Sequence, residues 1–113
     1  MVYEQQLRRK SGSMNKHQYS MRGKVWLYPG VATWHFLTLP KTKSKEITTL
    51  FGNIKRGWGS LPVIVRIGTT SWRTSIFPDS KAGAYLLPLK AEVRKKVGIA
   101  SGDTITYVIE ILT

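Results

Sequence analysis

An apolar strand, a proline, a short helical segment and a glycine follow one another twice in this sequence, and this repeat limits the available folds. The first unit runs from Phe36-Leu37-Thr38-Leu39-Pro40 to Gly52, and the second from Tyr85-Leu86-Leu87-Pro88-Leu89 to Gly98. A proline ends a strand because it lacks a backbone donor, and a glycine suits the left-handed position that follows a helix. Two such units in 113 residues predict pseudo-symmetric halves that share one sheet.

The remaining segments are predicted from their periodicity and their turn residues. Pro29-Gly30 separates two aromatic and β-branched segments, which predicts a hairpin, and Gly68-Thr69-Thr70 predicts a second one. The last strand alternates, with Ile105, Tyr107, Ile109 and Ile111 on one face. The predicted strands cover residues 21–28, 33–39, 63–67, 71–77, 84–89 and 104–112, and the predicted helices cover 45–51, with Ser44 as N-cap, and 90–97.

Strands at this spacing, partly apolar on both faces, favour a small closed barrel over an open sheet. We therefore predict a mainly β fold, a small barrel with a short helix closing each end. Residues 1–19 lack apolar periodicity and are predicted to form a flexible basic tail, and residues 20–113 a single β-barrel domain. All methionines lie at or before position 21, so Met14 and Met21 are alternatives to Met1 as the translation start.

Charge narrows the choice of partner. The chain has 18 Lys and Arg against 6 Asp and Glu, a formal net charge of +12, concentrated in residues 1–24, 41–58 and 81–96. Such an excess attracts polyanions, and nucleic acid is the partner that we expect. The alternative is that the charge serves solubility alone.

Several classes of protein are disfavoured by what the sequence contains. Without cysteine there is no disulfide and no thiolate metal site, and the apolar segments are too short to span a bilayer. The two histidines and few carboxylates do not assemble into a catalytic set or a metal site. We expect a cytoplasmic, monomeric protein that is not an enzyme and uses no cofactor, metal ion or membrane.

The candidate contacts with nucleic acid lie in two basic segments. Lys55 and Arg56 precede Trp58, whose glycine neighbours suit a loop that stacks on a base while the cations hold phosphates. Alternatively, Trp58 packs against the barrel. Lys95 and Lys96, joined by Lys90, are the second group. Arg94 is expected to offset the helix C-terminus and to pair with a carboxylate such as Asp103.

The aromatic residues of the predicted strands are assigned to the core. A row of them on an outer face would instead form a stacking platform. If the domain binds a small ligand, the expected pocket lies between barrel and helix and is lined by Trp34, Phe51 and Trp72. The core assignment covers Trp26, Trp34, Phe36, Trp72, Phe77 and Tyr107.

Several motifs, in order, resemble a known family. Residues 85–105, with Glu92-Val93-Arg94 and Gly102-Asp103, resemble the C-terminal signature of the bacterial family called domain of unknown function 1905. Residues 34–40, 50–52 and 72–78 resemble it too, so the likeness runs from about residue 23 to residue 112. It implies a double-split β-barrel with a helix at each end, a fold also known from AbrB-like DNA-binding proteins. The family has no established activity, so the resemblance implies no functional residues.

We therefore expect a non-catalytic β-barrel domain that binds nucleic acid through a basic surface. The alternative is an accessory domain that binds a small ligand or a protein partner and has no role with nucleic acid.

Overall fold

The computed structural model describes residues 17–31, 33–54 and 59–113. Two helices are present in this part, α1 (Lys41–Phe51), which continues into a 3₁₀ turn (Gly52–Ile54), and α2 (Ala91–Val97). The strands are β1 (Gln18–Lys24), β2 (Trp26–Leu27), β3 (His35–Thr38), β4 (Leu61–Ile67), β5 (Thr70–Asp79), β6 (Ala84–Pro88) and β7 (Thr104–Ile111).

The seven strands form one antiparallel sheet in the order β1-β7-β4-β5-β6-β3-β2. β1 and β2 follow each other in the chain but lie at opposite ends of this order, so the sheet must curl. The curl brings β1 close to β3, where a Cβ added to Gly23 would lie 3.5 Å from Leu37 Cδ2. The prediction of a mainly β fold with two short helices is confirmed, as a curled half-barrel sheet.

The core lies on the inner face of this sheet. Alternate residues of β7 point inward as predicted, so Tyr107, Ile109 and Ile111 are buried, and β4 adds Val63 and Val65. The helix α1 contributes its apolar side, and β3 and β6 contribute leucines. The residues that complete this core include Leu37, Leu39, Ile47, Phe51, Leu61, Ile76, Leu87 and Leu89.

Helix α1 begins four residues before its predicted start. Pro40 is its N-cap residue, and the backbone N–H of Ser44 donates to the Pro40 carbonyl at 2.9 Å. The predicted N-cap role of Ser44 is wrong, because its hydroxyl lies buried and accepts a hydrogen bond from the Tyr85 backbone N–H at 3.1 Å. A long-range contact therefore uses the group that local capping would have used.

The two helices end differently. Gly98 has a φ of 79° and ends α2 in the left-handed conformation, as predicted. The corresponding prediction for Gly52 is wrong, because its φ is −60° and the chain continues as a 3₁₀ turn. Neither helix in the described ranges has the length and apolar content needed to cross a membrane.

The predicted hairpins are present, but the strand expected over residues 21–28 is divided, because residues 18–24 pair with β7 and only residues 26–27 pair with β3. β4 and β5 pair across the two-residue connection of Gly68 and Thr69, and β2 pairs with β3. β1 begins at Gln18, two residues before the expected start of the domain. Residues 1–16 of the expected tail, which was predicted to cover residues 1–19, lie outside the described residues.

Candidate functional site

Four aromatic side chains share one face of the β2–β3 hairpin. Trp26 and Tyr28 are two residues apart on one arm, and Trp34 and Phe36 are two apart on the other. Alternate residues of an extended chain point to the same face. Trp26 pairs with Phe36 across the hairpin, and the Tyr28 N–H donates to the Trp34 carbonyl at 2.9 Å. The register thus places the rings beside one another.

The rings form a continuous set of contacts. Tyr28 and Trp34 are stacked, with ring centroids 5.6 Å apart and planes 6° from parallel. Trp26 and Phe36 lie 5.3 Å apart, and the Trp26 indole N–H donates to Thr38 Oγ1 at 2.9 Å, which fixes its orientation. Yet Trp34 remains 53% exposed and Tyr28 42% exposed. The hairpin therefore orders a large apolar surface without burying it.

This surface lies on the sheet face opposite the core. Leu37 and Leu87 are completely buried, whereas their strand neighbours Phe36 and Pro88 point to the other side. The result is a groove of about 900 Å³, which we call the aromatic groove. Its apolar lining consists mainly of Trp26, Tyr28, Trp34, Phe36, Phe77, Leu86 and Pro88, and the exposed Lys81 and Lys90 also line it.

Arg94 of α2 supports the turn that carries Trp34. Its Nε donates to the Leu89 carbonyl at 3.0 Å and its Nη2 to the Thr33 carbonyl at 3.4 Å. Its Nη1 lies 3.2 Å from His35 Nε2. Because a guanidinium can only donate, Nε2 is the acceptor, and His35 Nδ1 carries the proton towards the Thr33 carbonyl at 3.2 Å. Arg94 thereby contacts both neighbours of Trp34 in the chain, Thr33 and His35.

The expected ion pair of Arg94 with Asp103 is not formed. Arg94 extends instead towards the Thr33 carbonyl in the β2–β3 hairpin, and Asp103 Oδ2 accepts a hydrogen bond from the Ala100 N–H at 2.9 Å. Asp79 has the same kind of role, because its Oδ1 accepts from the Lys81 N–H at 3.1 Å. Both aspartates therefore accept backbone hydrogen bonds within turns.

The basic residues line three adjoining cavities. The aromatic groove shares Lys90 with a cavity of about 280 Å³ between β5 and α2, which Lys96 also lines. On its other side it shares Asp79 and Ser80 with a cavity of about 740 Å³ beside α1. Lys41 and Lys45 of α1 line that third cavity. Lysines from the 41–58 and 81–96 segments therefore line cavities that share residues with the aromatic groove.

The lysines that line these cavities have no acidic partner in the described part of the chain. Within residues 17–31, 33–54 and 59–113, no Lys or Arg side chain forms an ion pair with a carboxylate. The same ranges contain no group of three or more His, Asp or Glu side chains placed to hold a metal ion.

The predicted site residues are only partly brought together. Lys90 and Lys96 line one cavity, whereas Lys95 is exposed and lines none of the three. Lys55, Arg56 and Trp58 lie outside the described residues.

The residues of the alternative pocket are separated. Trp34 lines the aromatic groove, Trp72 lines the cavity between β5 and α2, and Phe51 is buried in the core with its ring 5.2 Å from that of His17. None of the three cavities is lined by all three side chains.

Assignment of the strand aromatics to the core is confirmed for Tyr107, and Trp72 is partly buried against the core. The assignment is wrong for the four that line the aromatic groove on the opposite face, which are Trp26, Trp34, Phe36 and Phe77. The aromatic groove corresponds instead to the alternative interpretation, a row of rings on an outer face. The available signal was the spacing: aromatics two apart on each side of Pro29-Gly30 must share one face of the hairpin, whichever face that is.

No curated protein matches this chain by sequence. The family model described as domain of unknown function (DUF1905) matches residues 22–109, which include every strand of the aromatic groove and both helices. The chain therefore belongs to the DUF1905 family, as the motifs of its sequence indicated.

Proposed function

We propose that this domain is a non-catalytic module that binds single-stranded nucleic acid along the aromatic groove. Bases stack on the exposed rings, and backbone phosphates lie near Lys81 and Lys90. The observation that carries the proposal is the stacked pair of Tyr28 and Trp34, held outward on the sheet face opposite the core.

Exposing these rings is unfavourable without a ligand. Burial of apolar surface stabilises by about 25 cal/mol per Å², so an ordered and exposed aromatic set indicates a binding surface. Stacking of a base on an aromatic ring contributes about 1–3 kcal/mol and tolerates any base. Duplex DNA hides its base faces, so the aromatic groove favours a single strand.

The surrounding charge suits the same ligand. Lys81 and Lys90 line the aromatic groove, and Lys41 and Lys45 lie in the adjoining cavity beside α1. Asp79, the acidic residue that lines both of these cavities, already accepts a hydrogen bond within its own turn. Lys95 and the loop residues Lys55, Arg56 and Trp58 stay candidates for further contacts with the strand.

We also infer that the half-barrel closes as a double-split β-barrel with a helix at each end. The support is the run from β1 into β2, in which residues 18–24 pair with β7 and residues 26–27 pair with β3. One nearly continuous strand thus serves both ends of the sheet.

The test is the fluorescence anisotropy of a labelled single strand of about 12 nucleotides, a length within the range of small β-barrel sites. Trp34→Ala and Tyr28→Ala should each weaken binding by about tenfold or more, and the logarithm of the affinity should fall linearly with that of salt. Leu50→Ala is the matched control, because Leu50 is 56% exposed but lies on α1 outside the aromatic groove. Circular dichroism confirms that each variant is folded.

Two results would overturn the proposal. One is the absence of binding at low salt by the full chain, and the other is equal affinity of the groove variants and the control. Either result would leave the aromatic groove to a small ligand or a protein partner, which a thermal-shift screen of metabolites and peptides would then address.

A further inference from the structure

We propose that the cavity between β5 and α2 is a binding site for a phosphoryl group. This cavity of about 280 Å³ lies beside the aromatic groove and shares Lys90 with it. Its lining combines the cations Arg73, Lys90 and Lys96 with the hydroxyl-bearing Thr70, Ser71 and Thr74. The site does not depend on the proposed function of the aromatic groove.

The fold brings these groups together from two distant segments. Residues 70–74 lie on β5, whereas Lys90 immediately precedes α2 and Lys96 lies in the last turn of that helix. Arg73 and both lysines are exposed, and no carboxylate in the described part of the chain pairs with them. Glu92 also lines the cavity, so three cations and one carboxylate leave a net charge of +2 there.

The edge of β5 supplies a second feature. β5 pairs with β4 along residues 70–76, but with β6 only at Phe77, Pro78 and Asp79. Along residues 70–74 the edge opposite β4 therefore has no strand partner among the described residues. Backbone groups at such an edge are available to a ligand.

The chemistry of the lining fits a phosphoryl group. Arginine binds phosphate oxygens through two parallel N–H donors, and lysine adds a point charge. The hydroxyl of Ser71, on the same face of β5 as Arg73, can donate to a remaining oxygen. The phosphate could be a free ester or belong to a strand that leaves the aromatic groove past Lys90.

Cations beside an open strand edge also discourage association between sheets, a role that needs no ligand. A comparison of Lys95 with Lys96 distinguishes phosphate binding from this protection of the strand edge. They are adjacent, exposed and equally charged, but only Lys96 lines the cavity. Lys96→Gln and Lys95→Gln therefore change the net charge of the protein equally, but only Lys96→Gln removes a positive charge from the cavity.

The experiment is an NMR titration of the full chain with inorganic phosphate, against sodium chloride at equal ionic strength. We expect saturable shifts confined to residues 70–74 and 90–96, about fivefold weaker binding for Arg73→Gln and Lys96→Gln, and no change for Lys95→Gln. Equal effects of the two lysine variants, or shifts spread over all lysines, would overturn the proposal.

A second arm identifies the source of the phosphate. If inorganic phosphate competes with a bound oligonucleotide, and Lys96→Gln weakens both, the site holds a phosphate of the strand. If phosphate binds with the same localised shifts and no oligonucleotide binds, the site serves a free phosphate ester and only the proposed function fails.

Discussion

The Nη1 atom of Arg94 lies 3.2 Å from Nε2 of His35, and this contact joins α2 to the hairpin that carries the aromatic groove. The two residues are 59 positions apart in the chain, so the contact exists only in the folded protein. It sets the tautomer of His35 and, through the Thr33 carbonyl, the path of the backbone into Trp34. Arg94 of α2 thus stabilises the hairpin that carries the aromatic groove.

Replacement of Arg94 by lysine should weaken these contacts with the hairpin while keeping the positive charge. A single ammonium cannot reach the Leu89 and Thr33 carbonyls and His35 Nε2 together. We expect Arg94→Lys to lower the free energy of unfolding by about 1–3 kcal/mol and to weaken oligonucleotide binding. Urea unfolding and anisotropy measure the two effects. Arg66→Lys, at an exposed position of β4, is the control, and an equal loss there would contradict the assignment.

The buried hydroxyl of Ser44 holds α1 against β6. Ser44→Ala would leave the Tyr85 backbone N–H without its acceptor inside the protein. An unsatisfied buried donor costs about 1–3 kcal/mol, so the free energy of unfolding should fall by that amount. Thr42→Ala changes an exposed hydroxyl of the same helix and should stay within about 0.5 kcal/mol. Equal denaturation midpoints for the two variants would show that the Ser44 bond contributes nothing.

Gly98 ends α2 through backbone conformation alone. Its φ is 79°, and a Cβ added there would meet nothing within 4 Å, so Gly98→Ala adds strain without a clash. We expect a loss of about 1–2 kcal/mol in the free energy of unfolding, and a smaller loss for Gly98→Asn. Gly23→Ala provides the contrast, because its φ is not positive and its nearest neighbour lies at an ordinary 3.5 Å. A larger loss at Gly23 than at Gly98 would refute this account.

Alkaline stability should depend on Tyr107. Burial raises the pKa of its phenol above the ordinary value of 10.0. Above pH 10 the unfolded chain therefore releases this proton before the folded protein does. The phenol is neutral in both states below that pH and imposes no pH dependence there, whereas above pH 10 it lowers the free energy of unfolding by about 1.4 kcal/mol per pH unit. Burial, with the charge of Glu46 as a lesser cause, raises the pKa of Tyr19 in the same direction.

Tyr107→Phe should remove the part of the alkaline pH dependence that Tyr107 contributes. The Tyr107 hydroxyl is buried and has no hydrogen-bond partner among the described residues, so its removal should cost nothing at pH 7. The stability of the variant relative to the parent chain should then grow between pH 10 and pH 11 in urea unfolding. Tyr28→Phe, on the exposed ring, controls for general effects of the substitution, and parallel curves for Tyr107→Phe and the parent would disprove the prediction.

Much of the fold follows from local patterns. The alternation of residues 104–112 placed Tyr107, Ile109 and Ile111 on one face correctly, because a strand has a period of two whatever it packs against. Gly98 was recognisable as a helix stop for an equally local reason, its access to positive φ. The function of Ser44 was not recognisable, because its partner Tyr85 is 41 residues away and competes with a local cap.

The amino-acid order by itself determined the strands, the two helices, the basic surface charge and the grouping of Trp26, Tyr28, Trp34 and Phe36 on one side of a hairpin. Which side of that hairpin meets the core was decided only by the tertiary structure. Both sides are apolar, so periodicity cannot show which one is buried. The pairing of β3 with β6 places Leu37 beside Leu87 in the core and leaves the aromatic rings on the outer face. That pairing depends on contacts between residues some fifty positions apart, which no local pattern encodes.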